Sequence, residues 1–208
     1  MIAIIDYEAG NLASVARALN HLGFPYRVTR DVKEITGADR VIFPGVGSAG
    51  QAMHDLKRSG IDKALYDVHK SGTPFLGICL GSQIILQQSE ENNTTCLGLL
   101  HGRARRFPAH LLSDGGDTLK VPHMGWNRVQ LIRRHPVFRD IAPDDEFYFV
   151  HSYFPSPDSG NSIIGTTDYG ITFASVVGEG SLVAVQFHPE KSGAIGLTVL
   201  KNFCQWDV

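Results

Sequence analysis

The first eighty residues repeat one pattern: a short apolar run, a turn, then a stretch of helical periodicity. Ile2–Ile5 and Val41-Ile42-Phe43 are apolar at every position, as a strand covered on both faces must be. Residues 26–29 and 73–78 read as further strands. Between the first two, Leu12, Val15, Leu19 and Leu22 recur at helical spacing, with Asn11 as the expected N-cap and Gly23 as the stop. Asp31 with Glu34 has the pattern of a capping box for a short helix. Pro44-Gly45-Val46-Gly47 is expected to break the third strand, Ser48 to start another helix, and residues 61–70 to form one more. Strands alternating with helices in this way specify an α/β chain: an open, mostly parallel sheet with helices on both faces.

Beyond about residue 95 the character changes. Runs 102–107, 126–131, 147–151, 163–167, 172–177 and 182–187 are strand-like and joined by turns, with little helix until residues 193–204. An antiparallel portion added to the same sheet is the simplest account. Residues 156–161 read as a surface loop, and no repeat, low-complexity tract or linker divides the chain. At 208 residues it suits a single domain, 1–208, whose core needs no disulfide or metal.

Charge is nearly balanced, at a formal −2, which removes any bulk attraction to nucleic acid or anionic lipid. Arg103-Ala104-Arg105-Arg106 and Arg133-Arg134-His135 read as solvated strand edges, with a docking or phosphate-facing surface as the alternative. The apolar N-terminal run stops at Asp6, too short for a signal sequence or a membrane span. Three cysteines without export signal or metal-ligand spacing imply free thiols in a reducing, cytoplasmic setting, and no metal or cofactor is expected.

One of those cysteines stands apart. Cys79 lies within Gly77-Ile78-Cys79-Leu80-Gly81, directly after a strand and directly before a helix-like run. A cysteine that only packs needs no flanking glycines; one exposed at a sharp strand-to-helix turn does, because such a turn crowds any neighbouring Cβ. A free thiol has a pKa of about 8.5, so a working nucleophile needs a base or a helix N-terminus beside it. His188 follows the apolar run 182–187, and strand C-termini line the ligand crevice of parallel sheets. Glu190 can then hold the imidazole from its other side. A Cys79–His188–Glu190 triad follows, whereas Cys96 and Cys204 read as small core residues.

Gly-Ile-Cys-Leu-Gly-x-Gln together with Gln-Phe-His-Pro-Glu resembles the class I glutamine amidotransferases. Ile5-Asp6-Tyr7-Glu8-Ala9-Gly10-Asn11-Leu12, Phe43-Pro44-Gly45-Val46-Gly47, Val121-Pro122-His123-Met124-Gly125-Trp126-Asn127 and Phe149-Val150-His151-Ser152-Tyr153 are most similar to the branch that forms the glutaminase subunits of imidazole glycerol phosphate synthase. The resemblance covers residues 2 to about 203 and implies a flavodoxin-like amidotransferase fold. It further implies hydrolysis of L-glutamine to glutamate and ammonia. The ammonia would pass to a (β/α)8-barrel cyclase subunit within a heterodimer, which makes imidazole glycerol phosphate and aminoimidazole carboxamide ribonucleotide in histidine biosynthesis.

On this resemblance Cys79 is the nucleophile, His188 the base and later acid, and Glu190 the orienting group. Two oxyanions form on the way to and from a thioester; the N–H of Leu80 is one natural donor and an N–H from Gly45-Val46-Gly47 the second. By itself Pro-Gly-Val-Gly would be an ordinary turn. Gln83, Glu91 and His151-Ser152-Tyr153 match the glutamine pocket, with the Glu91 carboxylate suited to the substrate ammonium. Tyr7, Asn11, His123, Trp126 and Lys191 match the face toward the cyclase. Two positions depart from the family pattern: Glu8 replaces a glycine and Ser82 a methionine. The competing readings are a glutaminase of the same fold serving another synthase, and a peptidase or thiol-redox protein sharing the elbow.

Overall fold

The structure is a computed structural model that describes residues 1–7, 11–113 and 115–208; Glu8 lies outside the described residues. The first half runs β1 (Ile2–Ile5), α1 (Leu12–His21), β2 (Tyr26–Thr29), α2 (Val32–Thr36), β3 (Arg40–Gly45), α3 (Ala49–Ser59), α4 (Ile61–Lys70), β4 (Phe75–Cys79) and α5 (Leu80–Ile84). The second half supplies β5 (Gln88–Ser89), β6 (Thr94–Thr95), β7 (Gly102–Arg106), β8 (His123–Arg128), β9 (Gln130–Leu131), β10 (Glu146–His151) and β11 (Tyr153–Pro157). It closes with β12 (Ile163–Asp168), β13 (Thr172–Glu179), β14 (Leu182–Val185) and α6 (Gly193–Cys204).

Eight strands form the main sheet in the order β2-β1-β3-β4-β14-β13-β12-β9. The pairings from β2 to β14 are parallel, and those from β14 through β13 and β12 to β9 are antiparallel. The expected antiparallel extension is therefore present. It takes only part of the later strands: β10 and β8 pair apart from it, and β11, β7, β5 and β6 form a small sheet of their own. Arg103, Arg105 and Arg106 are exposed as expected, but β7 is an inner strand of that small sheet, so they do not mark an edge.

Alternation along the parallel strands builds two cores. Ile2 and Ile4 pack with Val15 and Leu19 of α1 and Leu200 and Phe203 of α6 on one face. Ala3 and Ile5 pack with Leu56 of α3, Leu65 of α4 and Ile84 of α5 on the other. A sheet clothed on both sides explains why β1, in its interior, is apolar and buried at every position, while the edge strand β2 carries exposed Arg27.

The local signals act with three exceptions. Ser48 accepts from the Gln51 N–H at the start of α3, and Asp31 accepts from the Lys33 and Glu34 N–H groups at the start of α2. Glu34 does not complete a capping box, because its carboxylate pairs with Arg27. Asn11 precedes α1 without capping it through its side chain, which turns elsewhere. β3 also runs on through Pro44 to Gly45, so the glycine-rich loop begins later than expected. Among the described residues no helix is long and apolar enough to cross a membrane.

Candidate active site

Cys79 ends β4 opposite Gly45, the last residue of the parallel neighbour β3. The chain then reverses into α5 within a single residue. Cys79 takes φ 53° and ψ −110°, a left-handed conformation that costs a side chain of this kind on the order of 1–3 kcal/mol. The glycines around it make room for that turn. A Cβ at Gly81 would lie 2.1 Å from the Phe43 carbonyl oxygen, and one at Gly77 would lie 3.0 Å from the Ala184 Cβ. At Gly45 the clash would be with the Tyr7 hydroxyl at 2.5 Å and the Leu80 Cβ at 2.9 Å. The Gly-x-Cys-x-Gly spacing is thus a packing requirement of the elbow.

β14 lies beside β4, with Val185 opposite Ile78, so the residues that follow it emerge next to Cys79. His188 sits there, its N–H bonded to the Tyr148 carbonyl of β10 at 2.9 Å and its carbonyl accepting from the Ser192 hydroxyl at 2.7 Å. Its Nδ1 meets Glu190 Oε1 at 2.8 Å, and both side chains are almost wholly buried. Burial, the largest influence, disfavours a charged ring. The charge and hydrogen-bonding capacity of Cys79, then those of Glu190, outweigh it and push the His188 pKa up to about 10. Among the described residues no hydrogen bond of ordinary geometry joins His188 Nε2 to a partner, so this nitrogen is held ready while Nδ1 is fixed. Asn11 Nδ2 reaches Glu190 Oε1 at 3.4 Å, which is where the side chain that fails to cap α1 goes.

A cleft of about 340 Å³ opens beside Cys79, lined among others by Val46, Gly47, Gln83, Glu91, Ser152 and Lys191. Larger hollows of about 720, 660, 510 and 440 Å³ lie elsewhere, but none of these is lined by Cys79 or His188. Chemistry, and not size, singles out the smaller one. Leu80 opens α5, where a first-turn N–H has no partner within the helix. Gly47 adopts φ +91°, and Val46 is exposed beside it.

The predicted pocket residues are brought together, with their polar groups differently engaged. Glu91 Oε2 accepts from the Ala49 N–H at 2.6 Å, fastening the carboxylate to the start of α3. Gln83 spends its amide hydrogens on the Tyr153 carbonyl at 2.9 Å and Gln186 Oε1 at 3.0 Å, so only its oxygen remains to offer. His151 has no nitrogen left: Nε2 meets His123 Nδ1 at 2.9 Å and Nδ1 meets the Tyr153 carbonyl at 2.8 Å.

Of the five residues assigned to a partner face, two are placed otherwise. Tyr7 is 2 % exposed, with its ring against Phe43 and its hydroxyl buried without a partner among the described residues. His123 is also 2 % exposed, stacked between Phe149 and Tyr169. Strand alternation explains the second case: on β8 His123 and Asn127 point inward, while Met124 and Trp126 point out, 62 % and 54 % exposed. Lys191 is exposed, and its ammonium lies 6.0 Å from the Tyr148 ring centroid.

Gln186 escaped the sequence reading. Its Nε2 lies 3.7 Å from Cys79 Sγ, and its Oε1 accepts from Gln83. The available signal was a lone polar side chain in the apolar run 182–187. Ser82, the departure from the family pattern, is fully buried and donates to the Cys79 carbonyl at 2.7 Å.

The sequence matches the family Glutamine amidotransferase class-I over residues 3–206. Among its relatives, the imidazole glycerol phosphate synthase subunit HisH of Nitratidesulfovibrio vulgaris (strain DSM 19637 / Miyazaki F) is 51 % identical, over 98 % of this chain and 95 % of the relative. The HisH subunit of Pseudomonas putida is 47 % identical over 99 % and 97 %, and that of Neisseria meningitidis serogroup B 46 % over 98 % and 99 %. Among solved structures, a glutamine amidotransferase aligns with TM-score 0.71 at 17 % identity over 99 % and 98 % of the two chains. The glutaminase domain of Trypanosoma brucei CTPS aligns with TM-score 0.68 at 18 % identity over 100 % and 94 %. At such identities these two speak for the fold alone. The full-length family match and the near-half identity to the relatives settle membership: the chain belongs to the class I glutamine amidotransferases.

Proposed function

We propose that this chain is the glutaminase subunit of an imidazole glycerol phosphate synthase, hydrolysing L-glutamine and handing the ammonia to a cyclase subunit. The observation that carries the catalytic part is the juxtaposition of a strained-elbow cysteine with a buried His188–Glu190 pair beside an amino-acid-sized cleft. The near-complete overlap with relatives bearing that subunit name carries the assignment to this synthase.

In this reading Cys79 Sγ attacks the side-chain amide carbon of glutamine. His188 protonates the departing ammonia, and a water, deprotonated by His188, hydrolyses the thioester to glutamate. Glu190 holds Nδ1 and favours the imidazolium that forms between the steps. The Leu80 N–H and one from the Gly45–Gly47 loop receive the oxyanion. Exposed Trp126 and Lys191 offer the face for the (β/α)8 cyclase, and a cytoplasmic setting suits a biosynthetic heterodimer with three free thiols.

The test is glutamine hydrolysis by the chain mixed with its cyclase and the cyclase's nucleotide ligand. Cys79→Ala is expected to abolish it while leaving synthesis from added ammonia intact. Hydrolysis that survives Cys79→Ala would overturn the assignment of the nucleophile, and ammonia-dependent synthesis that never couples to glutamine would overturn the assignment of the synthase.

A further inference from the structure

His123, which the sequence placed on a surface, lies instead in a chain of hydrogen bonds whose direction can be worked out atom by atom. The Tyr153 carbonyl can only accept, so the His151 nitrogen 2.8 Å away, Nδ1, carries its hydrogen. Burial lowers the His151 pKa to about 3, so the ring is neutral and its Nε2 holds a lone pair. The nitrogen facing that lone pair at 2.9 Å, His123 Nδ1, must therefore donate. His123 is neutral as well, lowered by burial to about 4, which leaves its Nε2 to accept from Asn127 Nδ2 at 3.2 Å. Asn127 cannot be turned around, because Nδ2 also donates to the Asp168 carbonyl at 2.9 Å while Oδ1 accepts from the Arg128 N–H.

Backbone carbonyls thus fix the polarity at both ends, and each ring nitrogen and amide group in the chain has a partner. Register places the rings: His123 is directly opposite His151 on the antiparallel pair β8–β10. Phe149 and Tyr169 stack on His123 from its two sides, with centroids at 4.8 and 4.0 Å, so the imidazole cannot turn.

The output of this chain is the Tyr153 carbonyl, which also receives Gln83 Nε2. Tyr153, Ser152 and Gln83 all line the cleft beside Cys79. We infer that His123 and Asn127, through His151, are positioning residues that hold the 151–153 wall of the glutamine cleft in its binding geometry. They act as a one-directional relay of neutral side chains, without touching the substrate. The inference rests on the glutaminase reading for its kinetic consequence, but the relay itself does not.

Two measurements separate these. Nitrogen NMR of the full chain at neutral pH should find both His123 and His151 neutral with the hydrogen on Nδ1; a hydrogen on Nε2 of either ring would overturn the relay whatever the protein's activity. In the complex with cyclase, His123→Leu should raise the KM for glutamine about tenfold, the net worth of one buried hydrogen bond. kcat should change by less than about threefold, because the reacting groups at Cys79 and His188 are not in the chain. His123→Asn, which sets an amide near the place of Nδ1, should recover most of the loss. A KM unchanged in a folded His123→Leu variant, or a loss that His123→Asn does not recover, would refute the positioning role. A wild-type complex that hydrolyses no glutamine would count against the proposed function, leaving the NMR result to decide the relay.

Discussion

Identical atoms acquire different chemistry here from their surroundings. Cys96 and Cys204 are thiols pushed up to about 12 by burial, so at neutral pH they stay protonated and inert. Cys79 instead faces a histidine whose positive form is favoured. An electrophilic glutamine analogue is therefore expected to modify Cys79 stoichiometrically and leave the other two untouched, as peptide mass mapping would show; label at Cys96 would contradict the assignment. Tyr7 supplies the opposite kind of test. Its hydroxyl is buried beneath Gly45 with no partner among the described residues, and burial, then the charge of Cys79, raises its pKa. Removing an unsatisfied buried group relieves a desolvation penalty of about 1–3 kcal/mol. Tyr7→Phe should accordingly unfold at equal or higher denaturant concentration than the parent, whereas loss of more than about 1 kcal/mol would reveal a hydrogen bond not seen here.

At the scale of elements, the elbow depends on how closely β3, β4 and α5 approach. Gly81→Ala would drive a Cβ into the Phe43 carbonyl, which is backbone in the middle of the sheet and cannot swing aside. A destabilisation of at least about 3 kcal/mol is expected, measured by urea unfolding, because strand and helix must part to admit the methyl group. The tightness of this junction is also why it was legible. Gly77, Cys79 and Gly81 follow one another within five residues, and local steric rules suffice to read them. The bounds of α4 and α6 were legible for a similar reason, since periodicity and neighbouring glycines are local signals. Side-chain facing on β8 was not. His123, Met124 and Trp126 belong to one motif, and only pairing with β10 decides which of them points inward. The two small sheets were likewise hidden, because β7 finds β11 across some fifty residues of intervening chain, about which local pattern says nothing. Gln186 and Asn11 gained their partners in the same way, from chain segments distant in sequence.

For the molecule as a whole, the buried histidines set opposing limits on stability against pH. An unfolded histidine titrates near about 6.5. His123 and His151 titrate lower in the folded chain, at about 4 and about 3. As pH falls below about 6.5 the unfolded state takes up protons that the folded state refuses, so stability declines and levels only below the folded values. His188 works the other way. Its folded pKa of about 10 means the folded state keeps a proton the unfolded state has released, so its contribution is full below about 6.5 and lost as pH rises toward 10. The histidines together therefore favour the folded state most near pH 6.5, with one limb falling on each side. Each limb has its own variant. Relative to His123→Asn, the parent should lose stability by up to about 1.4 kcal/mol per pH unit between pH 6 and 4.5. Relative to Glu190→Gln, which removes the carboxylate that helps hold His188 positive and leaves the thiol in place, the parent should lose stability between pH 7 and 9.5. Urea titrations across that range measure both differences. A parent-to-variant gap that stays constant with pH on either limb would show that the corresponding histidine has the same proton affinity folded and unfolded, and the electrostatic picture of that buried site would be wrong.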